Sequence, residues 1–68
     1  MKKEYAPHQQ RVIEEREVLQ DKITKISDFV TVNKFFDTLP DIEKIDMRDQ
    51  LCFMCLYLEK LDSRISRF

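Results

Sequence analysis

The sequence predicts an all-α protein, an antiparallel two-helix hairpin with a short N-terminal segment. Three features of its 68 residues support this fold class. The chain has no glycine and only two prolines, so it lacks the turn residues that a β-sheet needs. Two rows of apolar residues repeat at intervals of three and four, which is the spacing of amphipathic helices. Charged residues form 37% of the chain, enough to cover the outer faces of such helices.

The first helix is predicted from about residue 7 to residue 30. Pro7 fits a first helical turn, where the backbone N–H that proline lacks has no partner in the helix. One polar residue, Arg16, fills the single gap in the apolar row of this helix. The row consists of Val12, Leu19, Ile23, Ile26 and Val30.

The connection is predicted over residues 31–38. Thr31 and Val32 are β-branched and weak helix formers, and Asn33 can cap one short turn. Thr38 has the features of an N-cap, with Asp41 three residues later as the carboxylate of a capping box. We therefore predict a second helix from about residue 39 to about residue 67, antiparallel to the first because the connection is short. Its apolar row is Leu51, Met54, Leu58, Leu61, Ile65 and Phe68.

The segment LCFMCLYL, residues 51–58, is apolar or aromatic throughout. One partner helix covers only one face of such a segment, so its other faces need further subunits. Chains this short usually add disulfides, a metal or oligomerisation. Two cysteines and one histidine supply neither a disulfide framework nor a full set of zinc ligands. We predict one domain over residues 1–68 that forms a compact homo-oligomer, without a cofactor or metal.

The cysteines and the histidine do not indicate an enzyme. Cys52 and Cys55 have CxxC spacing but lie in the middle of an apolar helix, whereas thioredoxin-type pairs follow a strand. We interpret them as packed core thiols. His8 has no nucleophile placed beside it, and the acidic residues are attributed to solvated faces and first helical turns.

The overall charge does not favour polyanionic partners. A net charge of −1 gives no general attraction to DNA, RNA or an anionic membrane, so any phosphate must be bound by a local cluster. The start MKKEYAPHQQ has no apolar run and is not read as a signal peptide. No stretch approaches the ~20 apolar residues of a membrane span. Because the two cysteines are read as free thiols, they fit a reducing cytoplasm.

Two local features fit phosphate and base recognition. Tyr5, His8 and Arg11 place two rings and a cation at a helix N-terminus, where unpaired N–H groups favour anions and rings can stack on bases. Lys22 and Thr24 are two residues apart, about 200° around a helix, so they flank the apolar row on opposite sides. From spacing alone, Lys22 covers the edge of the row and Thr24 is solvated. In an oligomer, each flank can become an interface.

An ordered set of residues connects this sequence to a known family. The set is Arg11-Val12-Ile13, Leu19, Lys22, Phe36, Leu39, Gln50-Leu51, Met54, Tyr57, Leu61, Arg64, Ile65 and Phe68. With this set, the chain from about Tyr5 onward resembles the phage anti-CBASS cyclic-nucleotide sponge family. The hairpin domain of that family is shared with a phage anti-Thoeris sponge.

The resemblance implies a non-enzymatic binder rather than a catalyst. It implies a homohexamer of helical hairpins that holds cyclic oligonucleotides uncut and so blocks CBASS-type immune signalling. The implied ligands are cyclic dinucleotides such as cGAMP and cyclic trinucleotides such as cyclic tri-AMP, in separate pockets between protomers. The implied location is the cytoplasm of the infected bacterium.

The resemblance also assigns candidate binding residues. Lys22 matches the lysine that pairs with dinucleotide phosphates. Thr24 matches the threonine of the trinucleotide pocket, and Arg64 matches the arginine that meets trinucleotide phosphates. The family's base-stacking tyrosine lies at the start of the first helix, where Tyr5 is slightly early and His8 is nearer, so either ring can supply the stack. The expected dinucleotide site is Tyr5, His8, Arg11 and Lys22, and the expected trinucleotide site is Thr24 and Arg64.

Two other functions fit parts of the sequence. A small phage adaptor that binds another protein through its amphipathic faces would need the same apolar rows but no phosphate-binding lysine. A helical nucleic-acid binder is disfavoured because such domains usually have a basic face, and this chain has a net charge of −1.

Overall fold

The computed structural model describes residues 4–68, which form two long helices joined by a short helical turn. Helix α1 spans Pro7–Val32, α2 spans Lys34–Asp37 and α3 spans Asp41–Ile65. No strand occurs within residues 4–68. The molecule measures 48 × 18 × 15 Å, the shape of a single hairpin. The predicted all-α fold with two long packed helices is confirmed.

Contacts near one end of the hairpin show that α1 and α3 run antiparallel. The Nε atom of Arg16, near the start of α1, donates a hydrogen bond to Oδ1 of Asp62, near the end of α3, over 2.8 Å. The rings of Tyr5 and Phe68 meet edge to face with their centroids 6.2 Å apart. Residues before α1 therefore lie beside residues after α3.

The seam between the helices is narrow. Val12, Leu19 and Ile23 are each 8% exposed and Leu61 is 1% exposed. The other seam residues stay partly exposed, and they are Leu51, Met54, Leu58, Ile65 and Phe68. Because two helices cover each other along one line only, a single hairpin leaves the outer face of each helix uncovered.

The short helix α2 closes the opposite end of the seam. Phe36 is 2% exposed, and its ring meets the ring of Phe29 edge to face, with centroids 6.1 Å apart. The guanidinium carbon of Arg48 lies 5.0 Å from the centre of the Phe36 ring. This position allows a cation–π attraction in addition to apolar packing. One buried ring thus anchors the connection to both long helices.

Helix α1 ends two residues later than predicted. The Thr31 hydroxyl donates to the carbonyl of Ser27 over 2.7 Å, so this β-branched residue is accommodated within the helix. The helix then stops at Val32. The predicted cap at Asn33 is confirmed, because Asn33 Oδ1 accepts a hydrogen bond from the Phe35 N–H at 2.9 Å.

The predicted capping box of Thr38 and Asp41 is wrong. Thr38 has helical backbone angles at the end of α2, and its hydroxyl donates to the Phe35 carbonyl over 2.7 Å. The N-cap of α3 is Pro40, with φ −58° and ψ 150°, and its carbonyl accepts from the Lys44 N–H at 3.1 Å. An N-cap needs extended backbone, which Pro40 has and Thr38 lacks. Helix α3 consequently begins two residues later and ends about two residues earlier than predicted.

Candidate functional site

A groove open to solvent runs along one flank of the α1–α3 seam. Seven residues line it: Arg11, Glu14, Glu15, Val18, Leu19 and Lys22 of α1, and Tyr57 of α3. We call it the Lys22 groove. Its volume is about 440 Å³, which lies within the range of roughly 300–1,000 Å³ for small-molecule sites.

The Lys22 groove contains two separated cations. Lys22 and Arg11 are exposed, and neither side chain forms a hydrogen bond or ion pair with another residue of the described chain. They are eleven residues apart on one helix, about 16 Å along its axis. Glu14 and Glu15 place two carboxylates in the same groove, so the four charges sum to zero. One chain therefore presents isolated cations rather than a basic patch.

Tyr57 is the aromatic side chain of the Lys22 groove, and it is 45% exposed. It also lines a second groove of about 410 Å³ on α3, whose other residues are Asp46, Asp49, Gln50, Phe53 and Met54. We call this the Phe53 groove. Tyr57 belongs to the set of residues that carries the family resemblance, but no binding role was predicted for it. One feature of the sequence could have indicated such a role. Tyr57 is four residues before Leu61, which places it at the edge of the second apolar row, just as Lys22 lies at the edge of the first.

Thr24 lies on the opposite flank of α1 from Lys22, as the spacing predicts, and does not line the Lys22 groove. Its hydroxyl donates to the Gln20 carbonyl at 3.1 Å and accepts from Gln20 Nε2 at 3.4 Å. On this flank the Arg16–Asp62 ion pair bridges the helices. Hydrogen bonding to Asp62, with the attraction of its charge, raises the pKa of Arg16. The seam therefore has an ion pair across it on the Thr24 side and an open groove on the Lys22 side.

Arg64 lies on the other side of the hairpin from Thr24. It follows Tyr57 by seven residues, or two turns, and so shares the Tyr57 side of α3. It is exposed, and its side chain forms no hydrogen bond or ion pair within residues 4–68. Because α1 and α3 are antiparallel and Arg16 contacts Asp62, Arg64 lies opposite about residue 14 of α1. Residue 14 is roughly 15 Å along the helix axis from Thr24. A pocket containing both residues therefore requires more than one chain.

Tyr5 and His8 lie at the Arg11 end of the Lys22 groove. Tyr5 is 37% exposed and packs against Phe68. His8 is exposed on the first turn of α1. Fourteen residues, about 21 Å of helix, separate His8 from Lys22. Within one chain, the two rings are near Arg11 but far from Lys22.

The outer face of α3 carries a stripe of exposed apolar residues opposite the seam. Ile42, Ile45, Phe53 and Leu56 form this outer stripe, with exposures of 66%, 52%, 68% and 53%. Their spacing of three, eight and three keeps them on one side of the helix. The apolar segment LCFMCLYL predicts such a surface, because one partner helix covers only one face of the segment.

The prediction of packed core thiols is wrong for the single chain. Cys52 and Cys55 are both free and exposed. Leu51 and Met54 occupy the seam positions, and each cysteine follows one of them, about 100° further around the helix. Cys52 therefore lies beside the outer stripe rather than in the seam.

Within residues 4–68, no three His, Cys, Asp or Glu side chains come together in a way that could hold a metal ion. No helix in the same residues has the length and apolar content needed to cross a bilayer.

The fold and its grooves define a small helical binding protein. Its ligand-sized grooves lie between and along two helices, and the polar side chains that line them are two cations without a side-chain partner in residues 4–68, four carboxylates, one amide and a tyrosine. The chain belongs to the Sequestin family, which it matches over residues 6–67. This match confirms the family resemblance of the sequence, and the family name refers to sequestration. No curated protein and no solved structure matches the chain.

Proposed function

We propose that the protein is a non-enzymatic sponge for cyclic di- and trinucleotide second messengers. By holding these messengers, it blocks CBASS-type signalling in the cytoplasm of an infected bacterium. The observation that carries this proposal is Lys22, an unpaired cation in a small-ligand groove that also contains the Tyr57 ring. Sequestration needs affinity for phosphate and base but no catalytic group. Native mass spectrometry tests it, because the complex must contain a cyclic nucleotide of unchanged mass.

The dinucleotide site is proposed to form between two chains. A cyclic dinucleotide carries two phosphates and two bases, so it needs each type of contact twice. One chain separates Lys22 from Tyr5 and His8 by about 20 Å or more of helix. A two-fold interface supplies every residue twice, and it can bring Lys22 of one chain to the rings and Arg11 of the other. Of the two rings, Tyr5 already packs on Phe68, whereas His8 has no ring contact, hydrogen bond or ion pair within residues 4–68.

The trinucleotide site is proposed to form where several chains meet. Thr24 and Arg64 lie on opposite sides of one hairpin, so they can share a ligand only across a subunit boundary. The Thr24 hydroxyl has two acceptor lone pairs and uses one for Gln20 Nε2, which leaves one for a ligand. A homohexamer supplies both two-fold interfaces and multi-chain junctions. Apolar packing of the outer stripe supports such an assembly, because it removes Ile42, Ile45, Phe53 and Leu56 from water.

The outer stripe also fits a second function, that of a phage adaptor that binds another protein. An exposed apolar helix face is the surface that such recognition uses. The two functions differ in the free protein. An adaptor keeps the stripe exposed as a monomer or dimer, whereas a sponge covers it in a closed multimer with cyclic nucleotide bound.

Arg64→Glu is expected to weaken binding of cyclic tri-AMP at least about tenfold, and binding of cGAMP much less. The change removes a charge-assisted hydrogen bond to phosphate, worth roughly 1.5–3 kcal/mol, and adds repulsion. Calorimetry with both ligands measures the two affinities. The matched control is Arg67→Glu, three residues away, where the arginine is already hydrogen-bonded to Ser63 Oγ at 3.0 Å. Equal losses for both ligands would contradict separate pockets.

A further inference from the structure

Tyr57 lies where the Lys22 groove and the Phe53 groove meet, since its side chain lines both. Leu61, one turn later, is 1% exposed, while Tyr57 is 45% exposed. The ring is therefore held at the edge of the seam rather than within it. Two described grooves that differ in chemistry share this one aromatic side chain.

The two exposed rings of α3 have different surroundings. Phe53, one turn before Tyr57, lines the Phe53 groove but not the Lys22 groove, and it belongs to the apolar outer stripe. Tyr57 also faces the groove that contains Lys22, Arg11 and two carboxylates. A purely apolar ring suits a subunit contact. A ring with a hydroxyl, in the same groove as a lysine whose side chain has no partner within residues 4–68, suits a ligand with both a flat apolar surface and a charge.

We propose that Tyr57 stacks on a nucleobase of the bound cyclic nucleotide while Lys22 pairs with a phosphate. This assignment rests on the proposed function and adds to it a base contact on α3. A base has two faces, so Tyr57 and a ring from the N-terminal end of a partner chain can bind the same base from opposite sides. Stacking tolerates any base because every base has a π-face. The Tyr57 hydroxyl can donate to or accept from a base edge and so favour one base over another.

Three variants test the stacking role in calorimetry with cGAMP. Tyr57→Phe keeps the ring and is expected to keep the affinity within about threefold. Tyr57→Leu keeps apolar bulk but removes the π-face, and we expect a loss of about tenfold or more. Phe35→Leu makes the same ring-to-aliphatic change at an exposed ring of α2, outside both grooves and the outer stripe, and should remain within about threefold of the wild type.

Native mass spectrometry of each variant separates stacking from assembly. The stacking role requires that Tyr57→Leu loses affinity while its subunit number stays that of the wild type. Unchanged affinity of Tyr57→Leu overturns the assignment, and so does loss of the assembly together with the affinity, because Tyr57 would then act through a subunit contact. If the wild type does not bind cGAMP or cyclic tri-AMP, the proposed function itself falls. Wild-type binding with an unaffected Tyr57→Leu variant overturns the Tyr57 role alone.

Discussion

Lys22→Glu is expected to weaken cGAMP binding at least about 30-fold while the oligomer stays intact. The lysine has no ion-pair partner within residues 4–68, so its replacement breaks no ion pair among these described residues. In the complex, the change removes a charge-assisted contact with phosphate and puts a carboxylate against it. Loss of one partner from such a pair commonly costs about 2–5 kcal/mol. Calorimetry measures the affinity, and size-exclusion chromatography with light scattering measures the oligomer.

Lys34→Glu is the matched control for Lys22→Glu. It makes the same change of charge at an exposed residue of α2. Lys34 lies beyond the end of α1, at least roughly 15 Å along the axis from Lys22, and charges are largely screened beyond about 8 Å at physiological ionic strength. Its affinity should equal that of the wild type. Unchanged affinity in Lys22→Glu would refute the phosphate contact. Equal losses of affinity in both variants would show a general effect of charge rather than a contact between Lys22 and phosphate.

Leu56→Asp is expected to split the oligomer into single chains. Leu56 is 53% exposed in the hairpin, so the substitution removes little packing within one chain. In the assembly, the substitution would bury a carboxylate without a partner. This burial costs several kcal/mol at every contact between subunits. Light scattering measures the change in mass. The reactivity of Cys52 in a Cys55→Ser background gives a second measurement, because Cys52 lies beside the same stripe.

The thiol measurement has a clear expected pattern. Cys52 is exposed in the single chain, and it should be protected from alkylation in the wild-type oligomer but reactive in Leu56→Asp. Val32→Asp, an apolar-to-acidic change at a residue that is 78% exposed outside the stripe, should leave mass and reactivity unchanged. A wild-type protein that runs as a single chain with a fast-reacting Cys52 would contradict assembly through the outer stripe.

Helical periodicity predicted the parts of the structure that depend on one helix at a time. The seam positions Val12, Leu19, Ile23 and Leu61 follow from a repeat of 3.6 residues, and they are the most buried residues of the α1–α3 seam. The opposite placement of Lys22 and Thr24 follows from the same repeat.

Features that depend on several segments were not available from the sequence. The register of α1 against α3 shows in the Arg16–Asp62 contact, forty-six residues apart in the chain, so the sequence did not reveal that Arg64 and Thr24 lie on opposite sides. Thr38 and Pro40 are both residue types that are common at the start of a helix. Helix α3 begins after Pro40, because Thr38 still has helical backbone angles at the end of α2.

The prediction that Cys52 and Cys55 are packed core thiols was wrong for a different physical reason. An all-apolar segment shows that several faces must be covered, but not whether the same chain or another covers them. In the single hairpin, Leu51 and Met54 contact the partner helix while Cys52 and Cys55 face outward. The apolar composition of the segment therefore did not place either thiol.

Native mass spectrometry of the wild-type protein with cGAMP and cyclic tri-AMP tests the central proposal most directly. It reports subunit number, ligand number and ligand mass in one spectrum. We expect a closed hexamer that carries both ligands at once, each released with its mass unchanged. A monomer or dimer without bound cyclic nucleotide, or release of a linear product heavier by one water, would contradict a sequestering sponge.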